Sequence, residues 1–179
     1  MNDRVDPLEA LEQGRPDEAF GRFLFFSARA IALFGGAVLV LIVCISFLSI
    51  LGRFLFSSPL LGDFELVEMG CAVAISSFLP LCHLRNGNVM VDFLTSGLKP
   101  RVIMALDGIS ALAFALIAAF FTWRMLFGAY DMYSYKEETM LLQFPVWIPF
   151  LPFIFSFFLL SLCCFYTFSI TIVSLCRSS

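Results

Sequence analysis

Charge and histidine are both scarce in this chain. Of its 179 residues, 14% are Asp, Glu, Lys or Arg, and His83 is the one histidine. Bis-histidine haem ligation needs two inward-facing imidazoles, so a single ring excludes it within the chain. A zinc site is short of ligands for the same reason. The cysteines are Cys44, Cys71, Cys82, Cys163, Cys164 and Cys176, and none forms a CxxC pair. All six lie in or beside apolar segments, where Cys behaves as a small hydrophobe. A disulfide framework is not expected. There is no Gly-rich phosphate loop and no nucleophile paired with a base, so no cofactor and no catalytic residues are implied. A net charge of -3 with no basic cluster argues against nucleic acid as a partner. The first 19 residues hold six acids and no apolar core, so no cleavable signal peptide is expected.

What fills the chain is apolar. Hydrophobic residues make up 60% of it, 23 of them Phe, and its mean hydropathy is +0.94. One soluble core of this length does not hide so much apolar surface. Four stretches carry it, at about 30–52, 66–84, 102–123 and 149–172. The first has 23 residues without a charge. At 1.5 Å per residue it reaches about 34 Å, enough to cross a hydrocarbon core of about 30 Å. The last belongs to an uncharged run over 139–176, divided by Pro145, Pro149 and Pro152. Residues 140–148 read as an interfacial lead-in, and the helix is expected from Pro149, since Pro suits a first helical turn.

The expected fold is therefore an all-α integral membrane protein with four transmembrane helices. Residues 1–29 form a cytoplasmic tail with an amphipathic segment, and 30–179 form the membrane domain. Over 19–29 a short interfacial helix is expected. Phe20, Phe23, Leu24 and Phe26 would press into the headgroups, with Arg22 and Arg29 near membrane lipid phosphates. Orientation follows from Lys and Arg. Arg4, Arg15, Arg22, Arg29, Arg85, Lys99, Arg101 and Arg177 fall on one side. Arg53, Arg124 and Lys136 fall on the other. Both termini are expected to be cytoplasmic. The third loop, about 124–143, is then external, with Trp123, Tyr130, Tyr133 and Tyr135 as interfacial anchors.

Few polar groups enter the spans. Asp107 follows Val102 by five residues, roughly 7–8 Å into span three. An acid in a membrane span is a functional-site candidate, but a helix start favours an anion. A structural or subunit-contact role is expected, with ion coupling as the alternative. Glu65 and Glu68 open span two, with Asp63 as a plausible N-cap. Arg53 closes span one on the same side, so a pair between Arg53 and Glu65 or Glu68 could pin that corner. Asp63, Glu65, Asp131, Glu137 and Glu138 could together present an acidic external rim. Small residues recur at helical spacing: Ala111, Ala115 and Ala119; Gly70, Ala74 and Ser77; Ala32 and Gly36. Such stripes let helices approach closely in lipid.

The order of these features resembles the DctQ-type small membrane subunit of tripartite ATP-independent periplasmic (TRAP) transporters. In that family span one ends in an Arg-aromatic-x-Phe run, then a Pro, then an acidic start to span two. Here stand Arg53, Phe54, Leu55 and Phe56, then Pro59, then Asp63, Glu65 and Glu68. A basic, Gly-containing turn and a hydrophobic-x-Val-Asp element follow, matched by Arg85, Asn86 and Gly87 and by Val89, Met90, Val91 and Asp92. A Pro-aromatic-Ile-Pro run precedes span four, matched by Pro145, Trp147, Ile148 and Pro149. The likeness covers about 30–161. Asn88 stands where His is usual, and Gly62 where an aromatic is common.

The resemblance implies a multi-pass protein of the bacterial inner membrane, bound to a large multi-span permease subunit. That subunit carries the substrate and sodium sites. A soluble periplasmic substrate-binding protein delivers an organic acid, and the small subunit enlarges the static scaffold without catalysing a reaction. Two other classes stay open on the residues alone. One is a stand-alone four-span transporter with Asp107 as coupling acid, which predicts transport by this chain alone. The other is a membrane redox-complex subunit, disfavoured by the single histidine and unpaired cysteines.

Overall fold

The computed structural model describes residues 18–56, 62–85 and 100–177. Its helices are α1 (Glu18–Phe56), α2 (Asp63–Leu84), α3 (Pro100–Tyr135) and α4 (Trp147–Arg177). Each holds a stretch long and apolar enough to cross a membrane: Phe20–Leu55, Asp63–Leu84, Gly108–Tyr135 and Trp147–Ile172. Among the described residues the β pairing is one isolated bridge between Glu138 and Pro145. The all-helical, four-span fold read from the sequence is the fold found.

The helix ends differ from the expected spans. α1 runs unbroken for 39 residues, about 58 Å, so the interfacial segment at 19–29 is its first turns rather than a separate helix. Phe20, Phe23 and Phe26 are exposed there, but Leu24 turns inward with Ala28 against Leu84, Leu159 and Cys163. α3 continues from 123 to Tyr135. Arg124 does not end it, because Arg is a good helix former and a charge interrupts the apolar run without interrupting the helix. The third loop shrinks to 136–146. α4 starts at Trp147, two residues before Pro149, with Pro152 inside the helix.

α1 and α2 run antiparallel. A Cβ at Gly35 would meet Ser77 and lie 3.2 Å from the Ala74 carbonyl oxygen, so the two backbones approach as closely as a side chain's absence permits. α3 and α4 form a second antiparallel pair. The Ser161 hydroxyl donates to the Ala115 carbonyl at 3.2 Å, and the rings of Phe121 and Phe157 lie 5.8 Å apart. Buried Ala115, Ala118, Leu160 and Cys164 fill the seam. α2 and α4 join the pairs. Lipid gives no hydrophobic drive between helices, so these small-residue contacts and dispersion hold them together. The inward residues are Ala118 and Gly35, where the stripes predicted Ala119 and Gly36.

Candidate functional site: the corner between α1 and α2 and the polar residues of the helices

The polar structure gathers where α1 ends and α2 begins. Gly62 caps α2 in a left-handed conformation, φ 82°, without a side-chain cap bond. That region favours glycine, and the Leu142 side chain occupies the space a Cβ would take. Asp63 is thus the first helical residue and not the expected N-cap. Its Oδ2 accepts the Ser49 hydroxyl from α1 at 2.5 Å, and its Oδ1 accepts the Phe64 N–H at 2.8 Å. Glu65 reaches the third loop. Its Oε1 accepts the Leu141 N–H at 2.9 Å and its Oε2 the Leu142 N–H at 3.1 Å.

That loop folds as a small hairpin. The Thr139 N–H donates to the Phe144 carbonyl at 3.0 Å, and the Val146 N–H to the Glu137 carbonyl at 3.1 Å. The Thr139 hydroxyl oxygen accepts the Phe144 N–H at 3.1 Å. Pro145 sits in the bridge to Glu138. The Trp147 ring stands edge-on to Tyr133, with centroids 5.7 Å apart. Met140 projects at the tip, 96% exposed.

These bonds correct the expected ion pair. Glu65 is committed to the loop, and among the described residues neither it nor Glu68 pairs with the exposed Arg53. Asp63 and Glu65 hold their own chain, while Glu137 and Glu138 on the hairpin and Asp131 on α3 are exposed. Arg85 caps α2, its N–H donating to the Leu81 carbonyl at 3.1 Å. Pro59, Gly87 and Asp92 lie outside the described residues. Asp107 belongs to α3, but its side chain lies outside them too. Sequence reasoning missed Ser49, Leu141 and Leu142, and took Gly62 only as a departure from the family pattern. A glycine just before the acidic start of α2 was the available signal.

Several hydroxyls within the apolar helices donate to backbone carbonyls. Ser76 and Ser77 both donate to the Val73 carbonyl, at 2.9 and 2.6 Å, and Thr122 donates to Ala118 at 2.8 Å. Such internal satisfaction is what hydrocarbon demands. A cleft of about 410 Å³ lies between α1, α2 and α4, lined by Ala30, Phe34, Ser77, Pro152 and Ser156 among others. Among the described residues no three His, Cys, Asp or Glu side chains gather as metal ligands do.

Four apolar helices, close-packed through small residues and tied by a polar corner where α1 meets α2, define a multi-pass membrane protein. Residues 42–172 match the family described as tripartite ATP-independent periplasmic transporters, DctQ component. The match covers nearly three-quarters of the chain, including the corner, the hairpin and most of α4. The chain belongs to this family and is a small subunit of a TRAP transporter. No curated protein and no solved structure matches it.

Proposed function

We propose that this chain is the non-catalytic small subunit that enlarges the fixed membrane scaffold of a TRAP transporter for organic acids. It works in the bacterial inner membrane beside the large permease subunit, which carries substrate and sodium. The family match over 42–172 carries this reading. Two features support it. The helices are locked to one another by close small-residue contacts, as suits a static element. The corner around Glu65 holds the hairpin with Glu137 and Glu138 in place, as suits part of a docking surface for the periplasmic binding protein.

Reconstitution tests it. Liposomes holding the large subunit and this chain, with the binding protein outside, should take up substrate on a sodium gradient. Liposomes lacking this chain should not. Uptake by this chain alone, or full uptake without it, overturns the proposal.

A further inference from the structure

The helices differ in how much of their surface is committed. Among the described residues α3 packs almost entirely on α4, which leaves most of its circumference open to them. The open side is not uniformly apolar. Phe120, Arg124, Phe127 and Asp131 stand three or four residues apart, so they share one face, and all four are exposed. Trp123 joins Phe120 and Phe127 beside them, with ring centroids at 6.3 and 5.5 Å. The outward face of α1 contrasts with this. Leu33, Val40, Leu41, Phe47 and Leu48 are exposed there, and 30–52 has no charge. That surface suits lipid.

Arg124 lies deep. On α3 it sits between Phe121, which meets Phe157, and Gly128, where a Cβ would lie 3.6 Å from Phe150. It is therefore level with Pro152 and Ser156 of α4, and these line one cleft with Ser77 of α2 and Phe34 of α1. Both of those belong to the interiors of their spans. The external end of α3 at Tyr135 is eleven residues away, about 16 Å along the helix. Long basic side chains snorkel when they start near a helix end; Arg124 does not. Among the described residues its guanidinium has no hydrogen-bond or ion-pair partner. A charge at this depth is costly unless it meets oxygen acceptors. Tail hydrocarbon has none.

We infer that the face of α3 centred on Arg124 meets the large permease subunit, which supplies a carboxylate or free backbone carbonyls to the guanidinium. The inference rests on the subunit role proposed above. An arginine amid aromatic side chains also has the composition of an interface anchor. The three rings supply packing area, and the guanidinium's planar fork supplies direction.

Two measurements on the full chain, co-expressed with a tagged permease, test this. In the first, a photoreactive phenylalanine replaces Phe127 or, as the control, Phe47. Position 127 should give adducts with the permease and position 47 adducts with lipid. In the second, Arg124→Leu, which removes the charge and keeps the position apolar, should retain at least tenfold less permease through purification. If Arg124→Leu does not accumulate in the membrane, the adduct pattern decides. A wild-type chain that retains no permease defeats the subunit role itself. A wild-type chain that retains permease leaves that role standing. The inference alone then falls if Arg124→Leu retains as much or position 127 labels only lipid.

Discussion

Oε2 of Glu65 accepts the N–H of Leu142 at 3.1 Å, across 77 positions of sequence. With its companion from Leu141, this bond ties the start of α2 to the hairpin between α3 and α4. A carboxylate with two backbone donors in parallel is a directional clamp, stronger than a single neutral bond. The corner is exposed, however, and water can replace a lost acceptor. Glu65→Ala should therefore loosen the hairpin without unfolding the bundle. One such bond contributes on the order of 1 kcal/mol net, so exchange of the Leu141 and Leu142 amides should quicken about fivefold. Glu65→Gln, which keeps one acceptor oxygen, should show a smaller change. Unaltered exchange at both amides in Glu65→Ala would mean the clamp contributes nothing.

Gly62 carries the second relationship at that corner. Its φ of 82° disfavours an L side chain, and Leu142 fills the space above it. Gly62→Ala should destabilise the protein by about 1–3 kcal/mol from backbone conformation alone, with a steric contribution added. Leu142→Ala in the same chain should remove the steric part and leave the backbone part. A thermal-unfolding double-mutant cycle in detergent separates the two. Strict additivity would show that Leu142 does not press on this position.

The α3 seam gives a sharper contrast. Ala118 is buried against α4, whereas Ala119 is only partly covered. Overpacking a close-packed seam costs about 1–3 kcal/mol. Ala118→Leu should therefore lower the midpoint of thermal unfolding clearly, and Ala119→Leu by much less. Equal losses at both positions would place the helix face elsewhere.

The four spans were legible because apolar runs of about 20 residues with at most one charge each leave a chain few alternatives. The inward faces were less so. Ala111, Ala115 and Ala119 step by four residues, and each such step turns about 40° beyond a full circle. A face that stays in contact must alternate steps of four and three. Gly108, Ala111, Ala115, Ala118 and Thr122 do this, and all are buried. The end of α3 was misread for another reason. Arg124 looks like a boundary when charge is equated with water, yet helix length depends on backbone geometry and on what covers the charge. The corner was legible as a place, where Arg53 meets the acidic start of α2, but its bonds were not. Glu65 and Leu142 are joined by tertiary folding, and no local pattern encodes a bond between residues so far apart.

The basic residues are divided unevenly between the two ends of the helices. Arg53, Arg124 and Lys136 fall on one side, against eight on the other. Both termini should then be cytoplasmic. A single cysteine at position 138, in an otherwise cysteine-free chain, should react with an impermeant maleimide added outside intact cells. One at position 4 should react only after permeabilisation. The reverse pattern would invert the topology and put the hairpin in the cytoplasm.

With that topology, Glu137 and Glu138 face the periplasm on a hairpin held by Glu65, and Asp131 stands exposed on α3 nearby in sequence. Charges at the rim of an interface act mainly on encounter, and physiological salt screens them beyond about 8 Å. Replacing both Glu137 and Glu138 by Lys should therefore slow association of the binding protein and leave the maximal uptake rate nearly unchanged. The half-saturating concentration of binding protein should rise several-fold at low ionic strength and return toward the wild-type value as salt is added. The conformation of the hairpin should persist, because its bonds run through the backbone and Thr139 rather than through these two carboxylates. Exchange at the Leu141 and Leu142 amides provides the control for that. An unchanged half-saturating concentration at low salt, with the hairpin intact, would remove these two acids from the docking surface.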